Sequence, residues 1–380
     1  MAAGGVTGSP LPPPKDTEHF PCPGCSASMK FDPATGMMKC PFCGCTAPVP
    51  AAGAAEKLPR HLLEECLATA HQGQLQPLTP AALEVHCEGC GGSVTFHPPE
   101  VAGSCPFCGM AIVAEPKAAD PLLAPDAVLP AKVSQERAQA EVRQWLSTRW
   151  FAPNALKRMA RQEAIHGVYL PFWSYDADTS SDYVGERGEH YWETEYYTET
   201  DDQGHTVQRS RQVQRTNWYP AAGHVAQSFA DILIAASRSV EEKKLNALQP
   251  WGLEALCRYE PAYLAGFKAQ RYQVELSNGF EEAKGVMAPA IERSVCGDIG
   301  GDEQRVLSVD TRYANVTFQH LLLPVWIGAF RFQSKVYQVV VNASTGEVQG
   351  ERPYSAWKIS LLVLAIALIV ALLVLFGGQR

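Results

Sequence analysis

The chain has 380 residues, of which 46% are hydrophobic and 19% are charged. This balance predicts a folded protein of two or three modules and excludes a chain that is disordered throughout. The formal net charge of -8 argues against a protein whose main work is to neutralise nucleic-acid phosphates. Residues 1–18 open with Ala, Gly, Ser and Pro and lack the charged start and apolar middle of a signal peptide, so a disordered leader is predicted there.

Two zinc ribbons are predicted next, at 19–46 and 85–114. Eight of the twelve cysteines form two sets with the same spacing, C-x2-C-x14-C-x2-C. The pentapeptide Cys-Pro-Phe-Cys-Gly occurs in both sets, at 40–44 and 105–109, so the second set is an internal repeat of the first. The two sets are Cys22, Cys25, Cys40 and Cys43, and Cys87, Cys90, Cys105 and Cys108.

The spacing of these cysteines predicts two structural Zn²⁺ ions. Each Cys-x2-Cys makes a tight turn, and two turns bring four sulfurs into the tetrahedron that zinc accepts, with no position left for water. A disulfide framework is the alternative for a secreted chain, and iron is the other metal considered. The remaining cysteines lack such spacing and are interpreted as small buried or incidental thiols; they are Cys45, Cys66, Cys257 and Cys296.

Two linkers separate the modules. Residues 47–84 form the first linker, in which apolar residues at helical spacing predict a short helix within 56–71. Residues 115–130 form the second linker, which contains four prolines between 116 and 130. A large domain follows at 131–355. It opens with a helix that Ser134 caps and that runs to about Thr148, and a second helix is predicted from Pro153 to His166.

The large domain then becomes rich in strands. Gly167–Asp176 is aromatic and apolar, as a buried strand should be. The segment Glu189–Tyr219 predicts a long two-stranded hairpin that turns at Asp202, because opposite charges then face each other across the strands. The expected pairs are Glu189 with Arg215, Glu193 with Arg211, Glu195 with Arg209, and Glu199 with His205.

The rest of this domain mixes strands with a helix. Strands are predicted at 263–275 and at 322–332, and the latter repeats the Leu-Pro-x-Trp pattern of 170–173. A hairpin is predicted at 336–350, and a helix with a kink near Pro289 at 279–299. Helices grouped with antiparallel strands predict an α+β fold.

A transmembrane helix is predicted at 357–377. Within it, Ile359–Phe376 has no charge, and fourteen of these eighteen residues are Leu, Ile, Val or Phe. A helix of that length is ~27 Å long, close to the ~30 Å of a bilayer's hydrocarbon core. The expectation is a tail-anchored, single-pass protein of the cell membrane, with the lipid bilayer as a partner. Because four-thiolate zinc needs reduced cysteines, the N-terminal bulk is expected to be cytoplasmic.

No catalytic motif is found in the sequence. There is no G-x4-G-K-[ST] phosphate loop, no H-E-x-x-H and no G-x-S-x-G. The expectation is therefore that the protein is not an enzyme, and no catalytic or cofactor-binding residue is assigned beyond the metal ligands.

The ribbons together with many short motifs resemble a known family. The motifs include GVYLPFW at 167–173, LQPWGL at 248–253, LLLPVW at 321–326 and GERPYS at 350–355. The resemblance is to bacterial TFIIB-type zinc-ribbon membrane proteins, often labelled primosomal protein N′ (replication factor Y) or superfamily II helicase. It implies a membrane-bound adaptor in envelope stress, with SPFH-type scaffolds or proteins similar to phage-shock protein A as partners.

The leading hypothesis is therefore a non-enzymatic, membrane-anchored zinc-ribbon adaptor that recruits protein partners. Two alternatives remain open. One is a nucleic-acid-binding zinc-ribbon protein linked to replication, and the other is an enzyme of unknown chemistry in residues 131–355.

Overall fold

Strands make up the largest share of the structure. A computed structural model describes residues 20–49, 58–70, 83–87, 93–96, 102–107, 111–113, 123–149, 165–200, 205–332, 335–351 and 356–377. Of these residues, 46% lie in strands and 26% in helices. The strands are β1 (Lys30–Asp32), β2 (Met37–Lys39), β3 (Thr46–Ala47), β4 (His61–Leu62), β5 (Leu83–His86), β6 (Ser93–Phe96), β7 (Ala102–Ser104), β8 (Ala111–Val113), β9 (Ala127–Val128), β10 (His166–Thr200), β11 (Thr206–Ala235), β12 (Cys257–Arg258), β13 (Lys268–Ala269), β14 (Glu303–Phe332), β15 (Lys335–Asn342) and β16 (Val348–Gly350).

Five α-helices accompany the strands in the described residues. They are α1 (Leu63–Ala70), α2 (Gln135–Ser147), α3 (Glu242–Asn246), α4 (Leu276–Ile299) and α5 (Ala356–Gly377), with single 3₁₀ turns at Leu253–Ala255 and Pro261–Leu264. As predicted, Ser134 caps α2, because its hydroxyl accepts a hydrogen bond from the backbone N–H of Arg137. The predicted helix at 279–299 is present as α4, with Pro289 inside it.

The body is a nine-stranded sheet in the order β11-β10-β14-β15-β16, with shorter strands paired along it. Three partners follow one another along the second edge of β14: β4 at Thr317–Phe318, β9 at Leu321–Leu322, and β15 from Val325 onward. Along this edge, β14 therefore changes its pairing partner twice within a few residues.

Helix α4 covers one face of the long strands. Its buried side chains recur every four residues, so they form one apolar face. Gly279 lies at the closest approach, because a Cβ there would come within 2.6 Å of the Tyr175 hydroxyl. The buried residues of this face include Ala283, Met287, Ile291 and Val295.

The two Leu-Pro-x-Trp motifs meet at the centre of the sheet. Leu170 of β10 lies opposite Leu323 of β14 in the antiparallel register, so the two motifs run in opposite directions about one point. Both tryptophans are buried, and each indole N–H donates to a backbone carbonyl: Trp173 to Val274 at 2.9 Å, and Trp326 to Val133 at 2.8 Å. The repeated motif therefore builds the core of the body.

The α+β prediction is wrong. The structure is mostly antiparallel sheet, because segments that the sequence suggested as separate strands of about ten residues belong to three strands of 30 to 35 residues. The predicted strand at 263–275 is also largely wrong, since a 3₁₀ turn at Pro261–Leu264 and only the short strand β13 lie there. The predicted helix at 153–166 falls mostly outside the described residues.

The predicted transmembrane helix is not supported either. Within the described residues, no helix combines the length and apolar character that a membrane crossing requires. For the described part of the chain, the assignment of a single-pass, tail-anchored membrane protein is wrong.

The long hairpin is present, but its register differs from the prediction. Strands β10 and β11 pair antiparallel from Phe172–Ala235 outward to Thr200–Thr206. Glu195 lies opposite Arg211 and not opposite Arg209, which is a shift of two residues. Beyond Gly188, the last residue of β10 that pairs with β14, the described residues contribute two strands, β10 and β11, and we call 189–217 the arm. The predicted turn residue Asp202 lies outside the described residues.

Candidate metal centre

The four cysteines of the first set lie together, as predicted. The Sγ atoms of Cys22 and Cys43 are 3.4 Å apart, and those of Cys25 and Cys40 are 3.5 Å apart. All four sulfurs lie within 4.8 Å of one another. Four sulfurs at ~2.3 Å from a central zinc would be ~3.8 Å apart, so the cluster has the size that a metal ion requires. This group could therefore hold a metal ion.

Two matching turns position these sulfurs. In the first, the N–H of Ser26 donates to the Cys22 carbonyl at 2.8 Å, and in the second the N–H of Gly44 donates to the Cys40 carbonyl at 3.1 Å. Both closing residues have left-handed backbone angles, with φ of 60° at Ser26 and 74° at Gly44. Glycine adopts this conformation freely, whereas serine does so at a cost.

The electrostatics of the four thiols favour a bound cation. The backbone N–H of Cys43 lowers the pKa of Cys40 to about 6, although burial opposes it. The N–H of Cys45 acts in the same direction on Cys43, but the neighbouring thiols of Cys22, Cys25 and Cys40 outweigh it and raise the pKa of Cys43 to about 12. Four thiolates at this distance repel one another, so a cation is needed for all four to ionise together.

The first ribbon is packed against the body. Cys22 and Cys40 are buried in a hydrophobic cluster that also contains Trp326 of β14. Phe31 of β1 anchors the ribbon, because its N–H donates to the Ala265 carbonyl at 2.9 Å and its ring meets that of Tyr263 edge-on at 5.3 Å. The metal centre and the sheet therefore share part of one core.

The second set of cysteines is described only in part. Cys87 and Cys105 are each 1% exposed and belong to the hydrophobic cluster beneath the central strands. Cys90 and Cys108 lie outside the described residues. The second predicted metal site thus remains a prediction.

The repeated pentapeptide has two different environments. Phe42 in the first copy is 81% exposed, whereas Phe107, which holds the same position in the second copy, is 2% exposed. Phe107 lies in the core of the body, and its carbonyl accepts a hydrogen bond from the Gln338 side chain at 3.2 Å. The phenylalanine of the pentapeptide is therefore exposed to solvent in the first copy and buried in the second.

The other four cysteines are half-buried. Cys45 lies beside the cluster of four, where burial and the neighbouring Cys22 raise the pKa of its thiol. Cys257 donates to the Val128 carbonyl at 3.4 Å, which matches the interpretation of a packing thiol. Cys45 follows the second turn directly, and Cys66 and Cys296 lie on α1 and α4. In the described parts of the chain, no second group of three or more Cys, His, Asp or Glu donors gathers as closely as the first set.

One curated relative extends along nearly the whole chain. The uncharacterized protein YdjG of Bacillus subtilis (strain 168) is 26% identical over 352 residues, which cover 92% of this chain and 94% of YdjG. No family model matches the chain, and no solved structure matches it. The site must therefore be interpreted from its own geometry.

The sequence did not point to a group of polar side chains around His320 of β14. Burial lowers the pKa of His320 to about 4, so the imidazole is neutral near pH 7. Its neighbours come from residues 60–66 and 123–126, segments with no shared motif. Only the folded chain brings them together, so no spacing in the sequence could have indicated the group.

Proposed function

We propose that this protein is a non-enzymatic adaptor whose first zinc ribbon presents Phe42 to a protein partner. The observation that supports this proposal is the contrast between Phe42, 81% exposed, and Phe107, 2% exposed, in two copies of one pentapeptide. Burying a phenylalanine side chain contributes about 1.5–3 kcal/mol. Phe42 therefore has apolar surface that a partner can bury, whereas the surface of Phe107 is already buried in the core of this chain.

The proposal includes zinc as the ion in both ribbons. A four-thiolate site is closed, so its zinc has no open position for substrate and acts structurally. The cluster of Cys22, Cys25, Cys40 and Cys43 supports the first ion. The matching spacing of the second set and the burial of Cys87 and Cys105 support the second.

A rigid aromatic residue at the tip of a metal-fixed turn suits protein recognition. Phe42 lies between two metal-ligand positions, so its backbone is fixed before the partner arrives and little conformational entropy is lost on binding. Aromatic anchors of this kind are common among the residues that dominate protein interfaces. The expected partner is a protein with an apolar pocket for Phe42, and the SPFH-type and phage-shock-protein-A-like classes are the first to test.

The test is site-specific photo-crosslinking in cells that produce the full chain. A benzophenone amino acid at position 42 should give a discrete protein adduct, and the same amino acid at Val286, an exposed position on α4, should not. Phe42→Ser should abolish co-purification of that protein without changing the zinc content. No adduct, an equal adduct from position 286, or an adduct that a nuclease removes would each contradict the adaptor.

Stability measurements supply the matched control. Phe107→Ala should lower the free energy of unfolding by about 3–5 kcal/mol, because it leaves a cavity in the core. Phe42→Ala should change it by less than about 0.5 kcal/mol, because the side chain is exposed. Equal effects would mean that Phe42 supports the fold and is not reserved for a partner.

A further inference from the structure

A cavity of about 430 Å³ opens at the place where β14 changes neighbours from β4 to β9. It lies outside the ribbon, and residues from β4, α1, β14 and the segment before β9 line it. Those that matter chemically are Arg60, His61, Glu65, Cys66, Asp126 and His320.

The ring of His320 has one nitrogen fixed and one unused. Its Nδ1 lies 3.1 Å from the Leu123 carbonyl, which can only accept a hydrogen bond, so Nδ1 carries the proton. Nε2 therefore holds a lone pair, and it is buried without a hydrogen-bond partner in the described structure. The rings of Trp173 and Tyr272 pack at 4.8 and 5.5 Å from the imidazole and hold it in place. A buried acceptor without a partner calls for an explanation.

His61 shows the same arrangement. Its Nε2 lies 2.7 Å from Oδ1 of Asp126, whose Oδ2 accepts from the backbone N–H of His320 at 2.8 Å. One carboxylate thus orients both histidine residues, and Nδ1 of His61 takes no part in this contact. Histidines that bind metals almost always donate their other ring N–H to a carboxylate or a backbone carbonyl. Here His320 has the backbone carbonyl as its partner and His61 has the carboxylate.

The charges and the remaining donor favour a cation. Arg60, which lines the cavity, is already paired with Asp176 at 2.7 Å and with Asp231 at 2.5 Å. Asp126 adds negative charge. Cys66 contributes a sulfur, and two imidazole nitrogens with a thiol suit zinc, cobalt or copper better than magnesium or calcium.

We propose that this cavity binds one divalent transition-metal ion through His61 Nδ1, His320 Nε2 and Cys66 Sγ. These three donors do not gather within 4.8 Å of one another as the four thiols of the first ribbon do. Binding therefore requires the exposed His61 and the half-buried Cys66 to move toward His320. Its remaining coordination positions face the cavity, which leaves room for a small ligand or water. The site differs in kind from the closed ribbon and takes a more exchangeable ion.

The test is a cobalt titration of the full-length, zinc-loaded protein, with zinc and cobalt counted together by mass spectrometry. One cobalt per chain should bind in addition to the zinc retained, with a thiolate-to-cobalt charge-transfer absorption. His61→Ala should weaken binding at least tenfold. His224→Ala is the matched control, because His224 makes the same kind of contact with Asp182 at 2.8 Å but lies away from the cavity, and it should change nothing.

A second pair of variants tests the sulfur. Cys66→Ser should remove the charge-transfer absorption, whereas Cys296→Ser, a half-buried thiol on α4, should keep it. The proposal is overturned if cobalt only replaces ribbon zinc, if His61→Ala binds as the wild type does, or if the absorption survives Cys66→Ser.

Discussion

At the scale of single residues, the cluster formed by the first four cysteines was predictable and the cavity residues were not. Cys22 and Cys25 are neighbours on one turn, so their spacing alone fixes their relative positions. His61 and His320 are brought together by the pairing of β4 with β14, across more than 250 residues. A turn can be predicted from the spacing of neighbouring residues, but a contact between residues far apart in the chain cannot be predicted from one sequence.

Ser26 gives a prediction at this scale. It stands in a left-handed conformation, with φ of 60°, where the matching turn has Gly44. Ser26→Gly should remove about 1 kcal/mol of backbone strain. Because metal binding and folding are coupled, the apparent zinc affinity should rise about fivefold, which a chelator competition measures.

Gly44 offers the reverse substitution as a control. A Cβ at Gly44 would meet nothing within 4 Å, so Gly44→Ser adds only the backbone strain and should weaken zinc binding by a similar factor. An unchanged affinity in both variants would show that these left-handed positions carry no strain.

At the scale of elements, the charge pattern predicted the hairpin but not its register. Glu195 and Arg211 form an ion pair directly across the strands, while Glu193 pairs diagonally with Arg215 at 2.5 Å. Long side chains reach diagonal as well as opposite partners. A shift of two residues keeps every side chain on its face, so the same charges fit both registers and the sequence could not choose between them.

The arm gives a second prediction. Past Gly188 it has only two strands, and an isolated two-stranded hairpin adds little stability. Replacing 194–212 by a short Asn-Gly turn should therefore leave the midpoint of thermal unfolding and the zinc content almost unchanged.

The deletion retains the inner contacts of the arm, such as His190 with Glu303 at 2.7 Å. A large fall in the unfolding midpoint would mean that the outer arm stabilises the body. Trp192→Ala, which changes an exposed residue of the retained part, serves as the control.

At the scale of the whole molecule, we expect the folding of 20–49 to depend on the metal, whereas the folding of the central sheet does not. The ribbon lends buried residues such as Phe31 to the shared cluster, but three short strands cannot form a core alone. Metal removal should therefore unfold 20–49 while the central strands persist.

Hydrogen exchange measures this difference. After treatment with a strong chelator, amides in 20–49 should exchange at least tenfold faster, and those of Val168–Tyr175 should keep their protection. The variant Cys40→Ser should reproduce the effect without a chelator. Full protection of 20–49 after metal loss would show that packing alone holds the ribbon.

The arm also determines which insertions its two strands can accept during evolution. Its twelve residues beyond Gly188 on β10 extend ~40 Å at about 3.4 Å per residue. An insertion of one residue in a strand would exchange its two faces, whereas matched insertions of two in both strands would only lengthen it. Relatives should therefore differ in the reach of this arm by even steps, while the body that carries it stays the same size.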